Sequence, residues 1–323
     1  MGAIVVIGNF DGVHRGHRAL LTNAAHMAEA RGLECVVLTF VPHPLAVLGR
    51  IAPPVLTSPR RKRALVDEIG HAIAGGGVAL RFVEHPFDRA FAAQSPRAFA
   101  EWLVRAFDAK VVTVGQNFRF GHGREGTFDT LVALGRELGF EARAEPLVAD
   151  ERGTISSTRV RGAIAAAQLA EAAALLGRPH SFSGRVERGK QLGRTIGFPT
   201  ANIGDPREMI PPFGVYAALV DRVAEDSSDH AAEVDHPLGR GAMSIGVNPT
   251  TDATASTKIE VFVFDRWESG RWERGFSGDL YGAKLRVHAI ERLRGEEKFD
   301  SLDALVAQIG ADVDDARAIL DRR

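Results

Sequence analysis

Cysteine is almost absent from this chain: of 323 residues, only Cys35 carries a thiol. One thiol excludes an intramolecular disulfide framework and any zinc site built on a cysteine cluster, and it fits a reducing, cytoplasmic setting. An excess of charge is missing too. The 40 basic residues stand against 41 acidic ones, so no long-range field draws in nucleic acid or a membrane surface. Long apolar runs are lacking as well. The first, "AIVVI" at residues 3–7, has no basic segment ahead of it and is too short for a signal peptide or a membrane span. "MGAIVV" also lacks the Ser or Thr that myristoylation would place at position 6. The sequence shows no internal repeat and no low-complexity tract. The expectation is a soluble, cytoplasmic protein that recognises its partners through local sites; a homo-oligomer stays open.

What is present changes texture midway. Short β-branched runs first alternate with helical patterns: "AIVVIGNF", "RGHRALLTNAAHMAEARG", "ECVVLTF", a helix over about 58–73, "VALRFV", "SPRAFAEWLVRAF", "AKVVTVG", "TFDTLVALGRELG" and "FEARAEPLV". That pattern predicts five strands separated by four helices. A continuous apolar run such as 111–114 is buried on both faces, which implies a parallel sheet with helices on each side, an α/β doubly wound domain. "TRVRGAIAAAQLAEAAALLG" reads as one alanine-rich helix ending at Gly177, with Pro179 beyond it. The boundary therefore falls between a domain of residues 1–178 and one of 179–323. The second half has short strands with frequent Gly and Pro and a helical pattern only at 301–320. It predicts an antiparallel β-barrel with a C-terminal helix. Residues 224–241, polar and aperiodic, read as a long hairpin loop.

In an open α/β sheet, ligands bind at the carboxyl ends of the strands. Four unusual segments are expected there: "GNFDGVHRGH" (8–17), "FVPHP" (40–44), "GQNFRFGHGREG" (115–126) and "TISSTRVR" (154–161). Gly8, Gly12 and Gly16 let backbone approach a ligand, and a helix starting near Gly16 aims free N–H groups at an anion such as phosphate. His14 and His17 can donate to oxygens that gain charge during phosphoryl or nucleotidyl transfer. The first segment is neither GxxxxGK[ST] nor GxGxxG, which argues against a P-loop kinase or a dinucleotide dehydrogenase. On residues alone, a zinc pair or a structural helix cap remain alternatives for the two histidines, and the zinc reading lacks a third ligand. His43 reads equally as a turn residue or a ligand contact. Arg119 and Arg124 are candidate phosphate contacts. The "RRKR" run at 60–63 reads as a solvated helix face.

Taken in order, these four segments resemble one family, the bacterial bifunctional riboflavin kinase/FAD synthetases. "HRGH" is similar to the HxGH signature of nucleotidyltransferases, and "ISSTRVR" to their second signature. The resemblance implies a nucleotidyltransferase-like, Rossmann-type first domain that transfers AMP from ATP to FMN, yielding FAD and pyrophosphate. It implies that His14 and His17 stabilise the ATP phosphates, with Gly8, Asn9, Phe10 and Gly16 shaping the nucleotide pocket. Ser156, Ser157, Thr158 and Arg161 would hold the outer phosphates; Phe40, His43 and Asn117 would face the flavin.

In the second half, "RGKQLGRTIGFPTANI" (188–203) sets Gly189, Gly193 and Gly197 at four-residue spacing ahead of Thr200 and Asn202. Such glycines free backbone N–H groups for phosphate, and the two polar side chains offer hard oxygens suited to Mg²⁺; a plain glycine-rich hairpin is the alternative. Glu260 stands in a strand whose next four residues are apolar. A buried carboxylate needs a partner or a task, and general base toward an alcohol is one; a strand-end surface Glu is the other reading. "GRTIGFPTAN", "SIGVNPT", "IEVFVFD" and "DLYG" resemble the riboflavin kinase module of the same family. That implies ATP-dependent phosphorylation of riboflavin to FMN, with Thr200 and Asn202 on Mg²⁺ and the phosphates, Glu260 as base, and Arg294 and Glu297 toward the flavin. Three departures from the family pattern stand out: few residues precede the first strand, 266–278 is longer than usual, and Asn248 replaces the Arg before Pro-Thr. A single-activity nucleotidyltransferase with a regulatory barrel, and a non-catalytic flavin-binding protein, are the competing readings.

Overall fold

The computed structural model describes residues 2–73, 79–189, 192–204, 206–224, 233–247 and 257–323. The chain divides into two compact units, residues 1–54 with 59–156, and residues 55–58 with 157–323.

The first unit runs β1 (Ala3–Ile7), α1 (Arg15–Arg31), β2 (Glu34–Val41), α2 (Pro44–Val47), α3 (Pro59–Ala72), β3 (Leu80–Pro86), α4 (Arg89–Ala92), α5 (Pro96–Phe107), β4 (Ala109–Gly115), α6 (Phe128–Leu138), β5 (Glu141–Glu145) and a small hairpin, β6 (Ala149–Asp150) and β7 (Gly153–Thr154). Among the described residues, five parallel strands lie in the order β3-β2-β1-β4-β5. β1 is buried on both faces: Ile4 and Val6 pack in the cluster that includes residues of α1 and α3, and Ala3, Val5 and Ile7 in the one that includes residues of α5 and α6. Strand order reverses between β1 and β4, so the crevice at their carboxyl ends is the switch point where α/β sheets take ligands. β5 stops at Glu145 rather than running to Val148, because Pro146 has no N–H for the ladder.

The second unit contains α7 (Ser157–Ala165), α8 (Leu169–Leu176), β8 (His180–Glu187), α9 (Leu192–Thr195), β9 (Ala201–Gly204), β10 (Gly214–Ala224), β11 (Val234–Val247), β12 (Thr257–Glu268), β13 (Arg271–Arg274), β14 (Lys284–Arg294) and α10 (Leu302–Leu320). Strands pair in the order β11-β10-β14-β8-β9-β12, and β12 pairs back on β11, which closes the antiparallel barrel and leaves no free edge in the ring. Phe182, Tyr216, Met243, Ile245 and Val261 fill the core. On the opposite strand faces, Ala217, Phe264 and Ile290 receive Val313, Ala316 and Leu320 of α10.

Two expectations need correction. The stretch 158–177 is two helices, because Ala167 takes φ 56° and the Gln168 amide turns back to the Ala163 carbonyl at 2.8 Å. Arg159 and Glu171, 3.0 Å apart, close the resulting helical hairpin. Leu169 packs with the barrel core. Segment 224–241 is largely strand rather than loop: β10 and β11 stay paired out to Ala224 opposite Val234, and the part of that expectation at 225–232 lies outside the described residues. The extended segment 266–278 is mostly the β12–β13 hairpin. Ser269 and Gly270, at φ 50° and 81°, form the two-residue turn that matches strand twist, and the Trp267 and Trp272 rings meet at 4.6 Å.

The polar pattern that suggested a loop is a buried ion network. Arg286 is 0% exposed, bonds both oxygens of Asp235 at 2.9 and 3.1 Å, and pairs with Glu233. Lys284 reaches Glu233 at 2.6 Å. Burial alone would raise the Glu233 carboxyl, but Arg286 and Lys284 outweigh it and hold the group below its ordinary range. A carboxylate depressed on folding contributes stability above its unfolded pKa and loses it as pH falls through the lower folded value. The urea midpoint of the barrel, followed through Trp267 and Trp272, is therefore expected to fall as pH drops below about 4.5, the ordinary value for Glu. Glu233→Gln should flatten that slope; an unchanged slope would count against the network.

Candidate functional site

In the first unit, β1 ends at Ile7 and the chain enters a turn with Phe10, Gly12 and Val13 at φ 49°, 87° and 39°. Two of these are not glycine, a strained conformation that persists only where surroundings impose it. Phe10 is fully buried, and its ring meets His17 edge-on at 5.3 Å. A Cβ at Gly8 would lie 3.0 Å from that ring, so a side chain there would push Phe10 out of place. Phe10 thus shapes the site from below rather than lining it.

His14 is the N-cap of α1, and its Nδ1 accepts the His17 amide at 3.3 Å. In the neutral ring this leaves Nε2 as the N–H donor. The His14 and His17 rings stack at 3.6 Å with 17° between planes. Stacked rings direct their lone pairs along parallel planes rather than toward one point, and His14 Nδ1 is occupied, so the pair is unsuited to a shared zinc ion. The cap is real, and it does not exhaust the histidines: two ring faces and a donor sit at a helix N-terminus whose first turn holds no acid, a setting for an anion. A Cβ at Gly16 would touch the His14 ring at 3.2 Å and the Ile155 carbonyl at 3.5 Å, so this turn packs against the backbone that leads into half-buried Ser156. Ser157, Thr158 and Arg161 open α7 in the second unit.

The Asn9 side chain lies 3.3 Å from His43 Nε2. His43 Nδ1 also accepts the Leu45 amide at 3.2 Å, so His43 both caps α2 and reaches the first loop. Half-buried Phe40 sits in an aromatic group with Phe87, Phe91 and Phe99 at 5.5, 5.7 and 6.5 Å. That group follows the carboxyl ends of β2 and β3 and was not singled out in the sequence, although Phe87, Phe91 and Phe99 recur there at four- and eight-residue intervals. His85 packs on Phe91 and Trp102, and burial lowers its pKa against the pull of Asp88. Asn117 is exposed just past β4; Arg119 and Arg124 are exposed as well.

The basic run 60–63 is not the solvated face that was expected. Arg63 donates to the Phe82 carbonyl at 3.4 Å, Arg61 pairs with Glu68 at 3.2 Å, and Lys62 Nζ reaches the Asn9 carbonyl at 2.8 Å. Burial pushes the Cys35 thiol up to about 12, with Glu34 adding to the shift, which rules out a thiolate nucleophile at neutral pH.

In the second unit, antiparallel pairing of β9 with β12 sets Asn202 opposite Glu260. The Thr200 hydroxyl donates to Glu260 Oε1 at 3.2 Å, and Lys258 Nζ lies 2.7 Å from Oε2. The carboxylate suspected of needing a partner has two, and 29% of its side chain stays exposed. A Cβ at Gly193 would fall on the Phe198 carbonyl, and Gly189 lies against the Asn202 amide; Gly197 turns the chain at φ 88°. A small cavity is lined by Gly189, Gly193, Arg194, Pro199, Thr200, Asn202 and Tyr281. Its hard oxygens, from Thr200, Asn202 and nearby Glu260, with only one carboxylate, suit a Mg²⁺ ion that arrives with phosphate oxygens. Arg294 is held bidentately by Asp312 of α10 at 2.8 and 2.9 Å and lies over the Phe299 ring, with Glu297 at 4.0 Å. Its hydrogen bonds to Asp312 raise its pKa above the usual range, and the pair ties α10 to the barrel.

The FAD synthetase family model matches residues 1–159, and the riboflavin kinase family model residues 176–320. A bifunctional riboflavin kinase/FMN adenylyltransferase of Escherichia coli K12 is 40% identical over 313 residues, covering 96% of this chain and 90% of the relative. That of Pseudomonas fluorescens is 35% identical over 98% and 93%. A crystal structure named for a macrolide-efflux protein from Streptococcus pneumoniae superposes with a TM-score of 0.79 at 32% identity, over 98% and 94% of the two chains. Among the described residues of this chain, no helix is long and apolar enough to cross a membrane. Two family models in the same order as the two units, and relatives matched almost end to end, lead to one assignment: this chain belongs to the bifunctional riboflavin kinase/FMN adenylyltransferase family.

Proposed function

We propose that the two activities of the family rest on separate residue sets, an FMN adenylyltransferase domain over residues 1–178 and a riboflavin kinase domain over residues 179–323. The chain phosphorylates riboflavin with ATP to FMN, then joins AMP from a second ATP to FMN, giving FAD and pyrophosphate. Both steps are in-line attacks at phosphorus, so the protein supplies position and charge.

In the first step the ribityl 5′-hydroxyl attacks the γ-phosphorus, the bond to ADP breaks, and Glu260 takes the hydroxyl proton. Thr200 and Lys258 hold that carboxylate in one orientation. Thr200 and Asn202 would hold Mg²⁺, which neutralises charge on the ATP phosphate oxygens when bound. Gly189, Gly193 and Gly197 shape the phosphate loop, and Arg294, Glu297 and α10 border the flavin. In the second step an FMN phosphate oxygen attacks the α-phosphorus and pyrophosphate leaves. The attacking oxygen is already ionised, so no base is needed. His14 Nε2–H, His17 and the N-terminus of α1 donate to oxygens that gain charge. Ser156, Ser157, Thr158 and Arg161 hold the outer phosphates; Asn117, His43 and the aromatic group around Phe40 receive the isoalloxazine ring. The cytoplasm is the proposed location, supported by one thiol that stays buried.

The observation that carries this reading is the stacked His14–His17 pair capping α1 at the switch point of the sheet. Incubating the purified chain with riboflavin, ATP and Mg²⁺ and separating products over time should show FMN first and FAD after it. Absence of both would sink the assignment; FMN without FAD would sink the first-domain chemistry alone.

A further inference from the structure

We propose that Lys62 is a positioning residue of the adenylyl-transfer site, its ammonium holding the Asn9 carbonyl and so the strained turn that delivers His14 and His17. The inference rests on the function proposed above and adds a residue to it.

Lys62 stands in the first turn of α3, far in sequence from the turn it touches. Its Nζ donates to the Asn9 carbonyl at 2.8 Å, and the same oxygen accepts the Thr39 hydroxyl at 3.3 Å from β2. Two donors from two different elements therefore converge on one backbone oxygen. That oxygen belongs to the residue directly before Phe10, the start of the positive-φ stretch. Such backbone states cost about 1–3 kcal/mol each and persist where neighbours over-determine them. Phe10 anchors the turn from the core side, and Lys62 and Thr39 anchor its carbonyl.

The charges around Lys62 fit a fixed ammonium. Asp11, 9% exposed, and Glu84 both attract it. Glu84 Oε1 is buried without a hydrogen-bond partner among the described residues, so its compensation is the field of the nearby cation. Burial lowers the Lys62 pKa, and the two acids raise it back only in part. A lysine on an ordinary helix face would extend into water; this one turns its ammonium back to the Asn9 carbonyl of the catalytic turn. An ångström of displacement in a group that must meet a transition state costs on the order of 10²-fold in rate, so loosening this anchor should appear in turnover.

Lys62→Met is expected to lower kcat for FAD formation by about 30- to 100-fold, with KM for ATP and FMN within about threefold of the parent. Riboflavin phosphorylation by the same protein should be unchanged, and Lys62→Arg should recover much of the loss. Because methionine removes the cation beside Asp11 and Glu84, the double variant Lys62→Met with Glu84→Gln is measured beside it, with near-UV circular dichroism and thermal melting of both. A folded double variant that keeps the kcat loss supports the proposal. Parent-like kcat in either folded variant overturns it. A raised KM for ATP with kcat retained also overturns it, since Lys62 would then bind nucleotide directly. Unfolding of both variants overturns it by assigning Lys62 to the fold. A parent enzyme making no FAD would instead sink the underlying function.

Discussion

His17→Ala is expected to lower the rate of FAD formation from FMN and ATP about 10²–10³-fold, the usual loss when one preorganised donor to a developing charge is removed. His17 stacks on His14 and meets Phe10 edge-on, so its ring is fixed before substrate arrives. A fixed donor needs no reorganisation in the transition state, and for that reason the loss should appear in kcat rather than in KM for ATP. His17 lies within α1 rather than at its cap, and alanine is a good helix former, so the fold should tolerate the change. Riboflavin phosphorylation by the same preparation is the internal control and should stay at the parent rate. Parallel loss of both activities would mean that the variant is misfolded or that the residue sets are not separate; retention of both would remove His17 from the mechanism.

Glu260→Gln should give the reverse pattern. FMN formation falls about 10²–10⁴-fold, the contribution of a positioned general base, while FAD formation from supplied FMN continues. Glutamine keeps the shape and the acceptor for the Thr200 hydroxyl, but it cannot take the ribityl proton and loses the Lys258 ion pair. Glu260 sits opposite Asn202 across a strand pair, so the backbone register that forms the site should survive. A variant that makes FMN at the parent rate would reduce Glu260 to a ligand for Thr200 and Lys258 and leave the barrel without its base.

Much of the first unit was legible because its signals are local. Apolar runs such as 111–114 can only be doubly buried strands, and glycine, histidine and proline cluster after them for reasons that act within a few residues. The segment 8–17 was visible as three glycines and two histidines; that Phe10 and Val13, not only Gly12, take positive φ was not, since nothing in a Phe or Val announces it. Lys62 was misread for a different reason. Its partner is 53 residues away, and a run of four basic residues looks the same whether it meets water or a carbonyl.

The barrel shows the same division. Glu260 stood out as an acid in an apolar strand, and that anomaly was informative because burying a charge is costly. Glu233 and Asp235 sent the same signal within a polar stretch, where it was invisible; only Arg286 and Lys284, some 50 residues on, explain how they are buried. Arg294 was set toward the flavin by the family resemblance alone; that Asp312 on the C-terminal helix holds its guanidinium was not legible, because the two are 18 residues apart and meet only through packing.

Composition, periodicity and motif order were sufficient for two units, their fold classes and the family to which they belong, because each depends on residues close together in the chain. Which charges are buried in pairs, which carbonyl Lys62 holds, and how β12 returns to β11 to close the ring depend on contacts between residues far apart in the chain. Such contacts exist only after packing has brought the elements together, and no local preference encodes them.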